Sequence, residues 1–172
     1  MAKKGQFYAD KPFEKLTTDV TQFKIEDEKV YHSPIMVFFN REIVSFSIST
    51  SPNLHQIRKT LDGLFAKFPD DATPLFHSDQ GWQYQHAEYQ RLLAKHNIKQ
   101  SMSRKGNCMD NGAMENFFGG LKVEMFYGEK FESVNAFIDK LESYIHYHNH
   151  DRISLKLKGM SPVQYRTHSQ AI

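Results

Sequence analysis

The sequence predicts one mixed α/β domain in which helices cover a central sheet, and three observations carry that prediction. Three β-type stretches, Lys15 to Phe23, Lys29 to Asn40 and Glu42 to Ser49, follow one another with turn-like residues between them. Helical spacing then takes over at Leu54, Ile57, Leu61, Leu64 and Phe65. Beyond it, short β-type runs alternate with amphipathic segments. A chain of 172 residues suits one domain with tails, and can bury a proper core without disulfides.

Residues 1–13 show no periodicity and read as a polar tail, so the fold is expected to occupy 14–172. The three β-type stretches read as an antiparallel meander. Its middle run, YHSPIMVFF, has little alternation at its end, as in a strand covered on both faces. Pro34 belongs near the start of that strand or at a bulge. Asn53 opens the first helix, which Pro69 and the two following aspartates end. A short strand from Thr73 to His77, a loop from Ser78 to Tyr84 and a helix from His86 to His96 come next. Ile98 to Ser101 reads as a further strand, the fifth. A polar loop, Ser103 to Asn107, leads into a helix from about Asn111 to Phe126. A long amphipathic helix, Ser133 to Asn149, carries Phe137, Leu141, Tyr144, Ile145 and His148. Ser161 and Pro162 have the cap and first-turn chemistry of a last short helix.

The balance of 22 basic and 20 acidic residues says little, but its distribution says more. Between Gln85 and Met109, Arg91, Lys95, Lys99, Arg104 and Lys105 face one acid, Glu88, a locally cationic stretch suited to a polyanion or to a solvated helix face. A single cysteine, Cys108, excludes an intramolecular disulfide and a multi-thiolate zinc site. The start MAKKGQFYAD has no apolar signal core, and no run is long enough to span a bilayer. His146, His148 and His150 fall on different helix faces and are read as structural. Phe117, Phe118 and Phe126 are read as core. Trp82 and Tyr84 suit either base stacking or capping of the sheet.

Three carboxylates stand out. Asp19 interrupts an otherwise β-compatible run, TTDVTQF, where aspartate is depleted. Asp79 lies just beyond the fourth strand, in HSDQGWQY, and loops outside strand carboxyl ends are where α/β proteins place chemistry. Glu115 sits near the start of a helix in DNGAMENFFGGLKVE, with 35 residues between it and Asp79. Each has a plainer reading too: a strand end, a turn residue serving local backbone, an exposed helix glutamate.

The stretches TTDVTQF, HSDQGWQY and SRKGNCMDNGAMENFFGGLKVE, with YIHYHNHDR and GMSPVQYR after them, resemble the catalytic half of OrfB-type insertion-sequence transposases, the insertion-sequence family numbered three. These are relatives of retroviral integrases. The likeness runs from about Glu14 to Arg166. It implies a ribonuclease-H-like fold, a mixed five-stranded sheet flanked by helices, and an Asp, Asp, Glu triad at Asp19, Asp79 and Glu115. The triad would hold two Mg²⁺ or Mn²⁺ ions, hard cations that carboxylates suit. The implied reaction is metal-dependent strand cleavage by water, then strand transfer by the freed 3′-hydroxyl. Lys122, seven positions after Glu115, matches a position thought to contact DNA, and Asn111, four before it, should share that helix face. Arg104 and Lys105 would add phosphate contacts.

The resemblance further implies DNA as partner, both transposon ends and target, a homo-oligomer, and a bacterial, cytoplasmic, nucleoid-associated protein. The family's usual helix-turn-helix region is not seen before Asp19, so end recognition is expected to be missing or supplied by a separate helix-turn-helix chain. The alternative is a catalytically inactive, truncated fragment that only binds DNA or oligomerises. Two positions depart from the family: Leu16 stands where tryptophan is common, and Val37 where aspartate often follows Ser-Pro-Ile-Met.

Overall fold

The computed structural model describes residues 8–103 and 111–171. The first β-type stretch is divided into β1 (Lys15–Thr18) and β2 (Thr21–Ile25). Both pair antiparallel with one edge of β3 (Glu28–Val37), and in a single register, since Thr18 faces Ile35 and Thr21 faces His32. That register carries Asp19 to the position opposite Pro34, which has no N–H to give to the ladder. The strand therefore opens at Asp19. The expected five strands appear as five ranks, with the first rank in two pieces, six strands among the described residues.

The strand β4 (Ile43–Ser49) lies antiparallel on the other edge of β3. On the far side, β5 (Leu75–Ser78) runs parallel to β1, and β6 (Lys99–Met102) runs parallel to β5. Alternation along β3 feeds two cores, as expected of a strand covered on both faces. Val30 and Met36 join Phe23 and Ile25 beneath α4 (Gly112–Leu121) and α5 (Val134–His150). Ile35 and Val37 join Leu16 beneath α1 (Leu54–Phe65) and α3 (Ala87–Lys95), with the one-turn α2 (Trp82–Gln85) between β5 and α3. The two departures from the family pattern prove to be direct partners: Leu16 faces Val37 across β1 and β3, each 1% exposed in the same core. An aliphatic pair fills this site, so the two differences are one packing change.

Helix starts follow side-chain chemistry. Asn53 caps α1 by accepting from the Gln56 amide, and Ser133 caps α5 through the Ala136 amide. Ser161 and Gln164 form a reciprocal capping box at α6 (Pro162–Gln170). The helix expected to reach Phe126 changes character at Lys122, passing into a π-helical turn (Lys122–Phe126) closed by the Tyr127 amide on the Lys122 carbonyl at 2.7 Å. Glu124 within that turn accepts from Arg152 and from the Tyr144 hydroxyl, which anchors the turn to α5 and the segment after it. Part of the predicted tail also packs: Ala9 is buried and Phe13 meets Phe68 edge-on. His148 bonds the Arg41 carbonyl at 2.9 Å, apart from the other two; His146 and His150, four positions apart, share one helix face against the expectation, with ring centroids 4.4 Å apart.

Candidate active site

Asp19 and Asp79 are brought together by strand pairing. In the parallel pair, Lys15 is level with Leu75 and Thr17 with His77, a register that sets Asp19 level with Asp79 just past the strand ends. Both are half-buried. One oxygen of each is held by nearby backbone: Asp19 Oδ1 accepts from the Val20 amide and Asp79 Oδ1 from the Gly81 amide, both at 2.8 Å. The loop can wrap onto Asp79 this closely because residue 81 is glycine. A Cβ there would lie 2.9 Å from Asp79 Oδ1 and 2.8 Å from Gln83 Nε2.

Glu115 arrives from the other side of the sheet edge. Met114, Phe117, Phe118 and Leu121 form the buried stripe of α4, which leaves Glu115 exposed in the first turn. The charges of Asp79 and Glu115 both reach Asp19. Burial first, and then these two neighbours, push the Asp19 carboxyl up to about 6, against the lowering effect of the Val20 amide. The three acids thus share one electrostatic environment. Among the described residues, no three acidic, histidine or cysteine side chains are gathered tightly enough to hold an ion as they stand. The set is convergent but open. Its chemistry fits a divalent cation, which would relieve the repulsion raising Asp19 and finds hard oxygen donors there.

Asn111 departs from its expected role. It is buried, and its amide accepts from the Thr17 hydroxyl and donates to the Thr18 carbonyl at 3.4 Å. It bolts the start of α4 to the end of β1, one residue before Asp19, and is not offered to a ligand. Asn111→Ala leaves the Thr17 hydroxyl without this partner and is expected to cost about 1–3 kcal/mol, read as a lower urea midpoint.

Lys122 is half-buried with its ammonium 5.7 Å above the Phe23 ring, a cation–π position. Arg104, Lys105 and Cys108 lie outside the described residues. The two aromatics of the Asp79 loop separate: Trp82 is 56% exposed, whereas Tyr84 is buried, its phenol pushed up by burial and by the charge of Asp19. Two further residues support the loop without having been singled out in the sequence. His77 places its ring nitrogens 3.1 and 2.9 Å from the Ser101 and Ser103 hydroxyls, and Gln80 donates to the Ser103 carbonyl at 3.0 Å. Such serine and glutamine contacts have no sequence signature.

Family comparison finds an integrase core domain over residues 9–108 and a second integrase core domain model over residues 115–169. An uncharacterized transposase-like protein of Haemophilus influenzae is 51% identical over 163 residues, covering 95% of this chain and 75% of that protein. InsK of insertion sequence element IS150, from Escherichia coli, is 48% identical over 160 residues, 93% of this chain and 56% of InsK. Transposase InsF of insertion sequence IS3A, also from Escherichia coli, is 31% identical over 166 residues, covering 96% of this chain and 58% of InsF. The chain therefore spans little more than half of the two Escherichia coli relatives. Among solved structures, the catalytic core domain of HTLV-2 integrase in complex with magnesium superposes with a TM-score of 0.72 at 15% identity, over 92% of this chain and 99% of that one. Among the described residues no helix is long and apolar enough to cross a membrane.

Proposed function

The chain belongs to the integrase core domain family and, within it, to the IS3-family transposases, and from that premise we propose that it cuts and joins DNA at a divalent-metal site made by Asp19, Asp79 and Glu115. One observation carries the reading: two carboxylates level with each other on parallel neighbouring strands, with a third close enough for its charge to be felt at Asp19. Mg²⁺ or Mn²⁺, when bound, supplies activation of the attacking oxygen and neutralisation of charge on the leaving oxygen. The reaction class is phosphodiester hydrolysis followed by transesterification.

The chain's own residues do the positioning. Backbone amides of Val20 and Gly81 hold one oxygen of each aspartate, and no other hydrogen bond among the described residues engages the second. Asn111 fixes the distance between α4 and β1. Arg91 and Lys95 on α3, Arg104 and Lys105 in the sequence after β6, and Lys122 are read as phosphate contacts, giving salt-dependent affinity with little sequence preference. Trp82, exposed beside Asp79, offers a face for a base. Assembly into a homo-oligomer belongs to the same reading. The HTLV-2 integrase core has been described in trimeric and dimeric forms.

The test is nicking of a labelled DNA duplex in Mn²⁺. The wild-type chain is expected to nick, a chelator to stop it, and Asp79→Asn to abolish it while leaving duplex binding in place. A wild type that binds duplex and never nicks would favour the inactive, DNA-binding reading. Retained nicking by Asp79→Asn would remove Asp79 from the site.

A further inference from the structure

On the α4 and α5 side of the sheet, under the segment that follows α5, lies a cavity of about 570 Å³ that none of the three acids lines. Phe38, Phe117 and Leu157 give it apolar walls. Its charged lining is of one sign: Arg41, Arg152 and Lys156, with no aspartate or glutamate among the described lining residues. Glu124 grips Arg152 through both oxygens, at 2.6 and 3.0 Å, and cancels its charge. No ion pair among the described residues does the same for Arg41 or Lys156.

Arg41 is held in place by its surroundings. Its backbone takes a left-handed φ of 64°, fixed by its amide on the Val37 carbonyl at 2.9 Å and its own carbonyl under His148 at 2.9 Å. Its guanidinium lies 4.2 Å over the Phe38 ring, and its Nη1 is buried with no hydrogen-bond partner. A buried guanidinium nitrogen without an acceptor is costly, and a planar fork and a point charge lining one cavity are donors of the kind oxyanions take. The α4 wall presents Gly112, Asn116 and Gly120, one row of the helix at four-residue spacing, next to the face that carries Glu115. Among the described residues, a Cβ at Gly112 would meet nothing within 4 Å, while one at Gly120 would lie 3.8 Å from Arg152 Nη2 and 3.9 Å from the Tyr144 hydroxyl.

We propose that this cavity is a phosphate-binding subsite, in which Arg41 Nη1 and the Lys156 ammonium take a phosphodiester of a DNA strand lying across α4. The oxyanion chemistry stands on the cavity alone; its source in DNA rests on the function proposed above. Two arms test it. In the first, inorganic phosphate is added at matched ionic strength against chloride, and thermal unfolding is followed for the wild type, Arg41→Gln and Lys156→Gln. Phosphate is expected to raise the wild-type Tm and to lose that effect in both variants. In the second, duplex binding is measured across a salt series, and the slope of log K on log salt should fall by about one in each variant.

Loss of the phosphate effect with an unchanged DNA slope would keep the oxyanion site and overturn DNA as its source. A wild type without a phosphate shift, or variants that keep it, would overturn the proposal. Should Arg41→Gln fail to fold, Lys156→Gln, at an exposed position, decides alone. Failure to bind duplex at all would count against the proposed function, and the phosphate arm would still read the cavity.

Discussion

Asp19→Asn is expected to yield a protein that is more stable than the wild type in the absence of metal and unable to nick DNA. The stability gain follows from the raised carboxyl. Folding lifts Asp19 from 3.8 to about 6, so the folded protein binds this proton more tightly than the unfolded chain does. Its contribution is fully present below about 3.8 and is lost as pH rises through about 6. At pH 7 the wild type therefore carries the whole penalty, about 3 kcal/mol at most, at about 1.4 kcal/mol per pKa unit. Asparagine keeps an oxygen for the Val20 amide and removes the charge. A gain of about 1–3 kcal/mol is expected at pH 7, or roughly 2–12 °C in Tm for a chain of this size, shrinking to less than about 1 kcal/mol near pH 4. Nicking should fall on the order of 10³-fold or more, since the three acids act as a unit. Mg²⁺ should then stabilise the wild type and leave the variant unmoved. Melting curves with and without metal, beside the nicking assay, read all of this. A less stable, metal-responsive variant would contradict it.

His32→Leu is expected to lose the acid destabilisation that this histidine imposes and to become more stable than the wild type as pH falls. His32 is fully buried in β3, its ring between Phe46, Phe117 and Phe118, and neither nitrogen has a hydrogen-bond partner. Burial holds it down from 6.5 to about 3. The unfolded chain takes up this proton first, so stability is intact above about 6.5 and is lost as pH falls from there towards 3, by at most about 5 kcal/mol. Leucine has no proton to take up and no polar atoms to bury. Near-neutral or slightly higher stability is expected at pH 7, and an advantage of about 3 kcal/mol over the wild type at pH 4. Asp19 and His32 thus pull in opposite directions over the same range. The wild-type stability profile between pH 7 and pH 4 should be flatter than that of either variant, which urea midpoints at several pH values will show.

The acids could be found in the sequence because each sits in a distinctive run at a strand end or helix start, and the likeness to integrases supplied their grouping. The break at Asp19 could not. It needs the pairing register that puts Pro34 opposite, a fact of two segments fifteen residues apart. Asn111 looked like a ligand contact because helical spacing puts it near Glu115; its burial against Thr17 and Thr18 comes from tertiary packing, which periodicity does not encode. The π turn at Lys122 left no trace for the same reason, since its apolar pattern is compatible with an uninterrupted α-helix. Leu16 and Val37 looked like separate departures until the sheet made them neighbours. The Arg41 cavity draws on β3, α4, α5 and the segment beyond, parts too far apart in the chain for any local pattern to join.

The most direct measurement is anomalous diffraction at the manganese edge from crystals of this chain soaked in Mn²⁺. The account predicts a peak bridging Asp19 and Asp79 with Glu115 drawn into coordinating distance. Ordered carboxylates with no peak between them, or manganese bound only elsewhere, would contradict it.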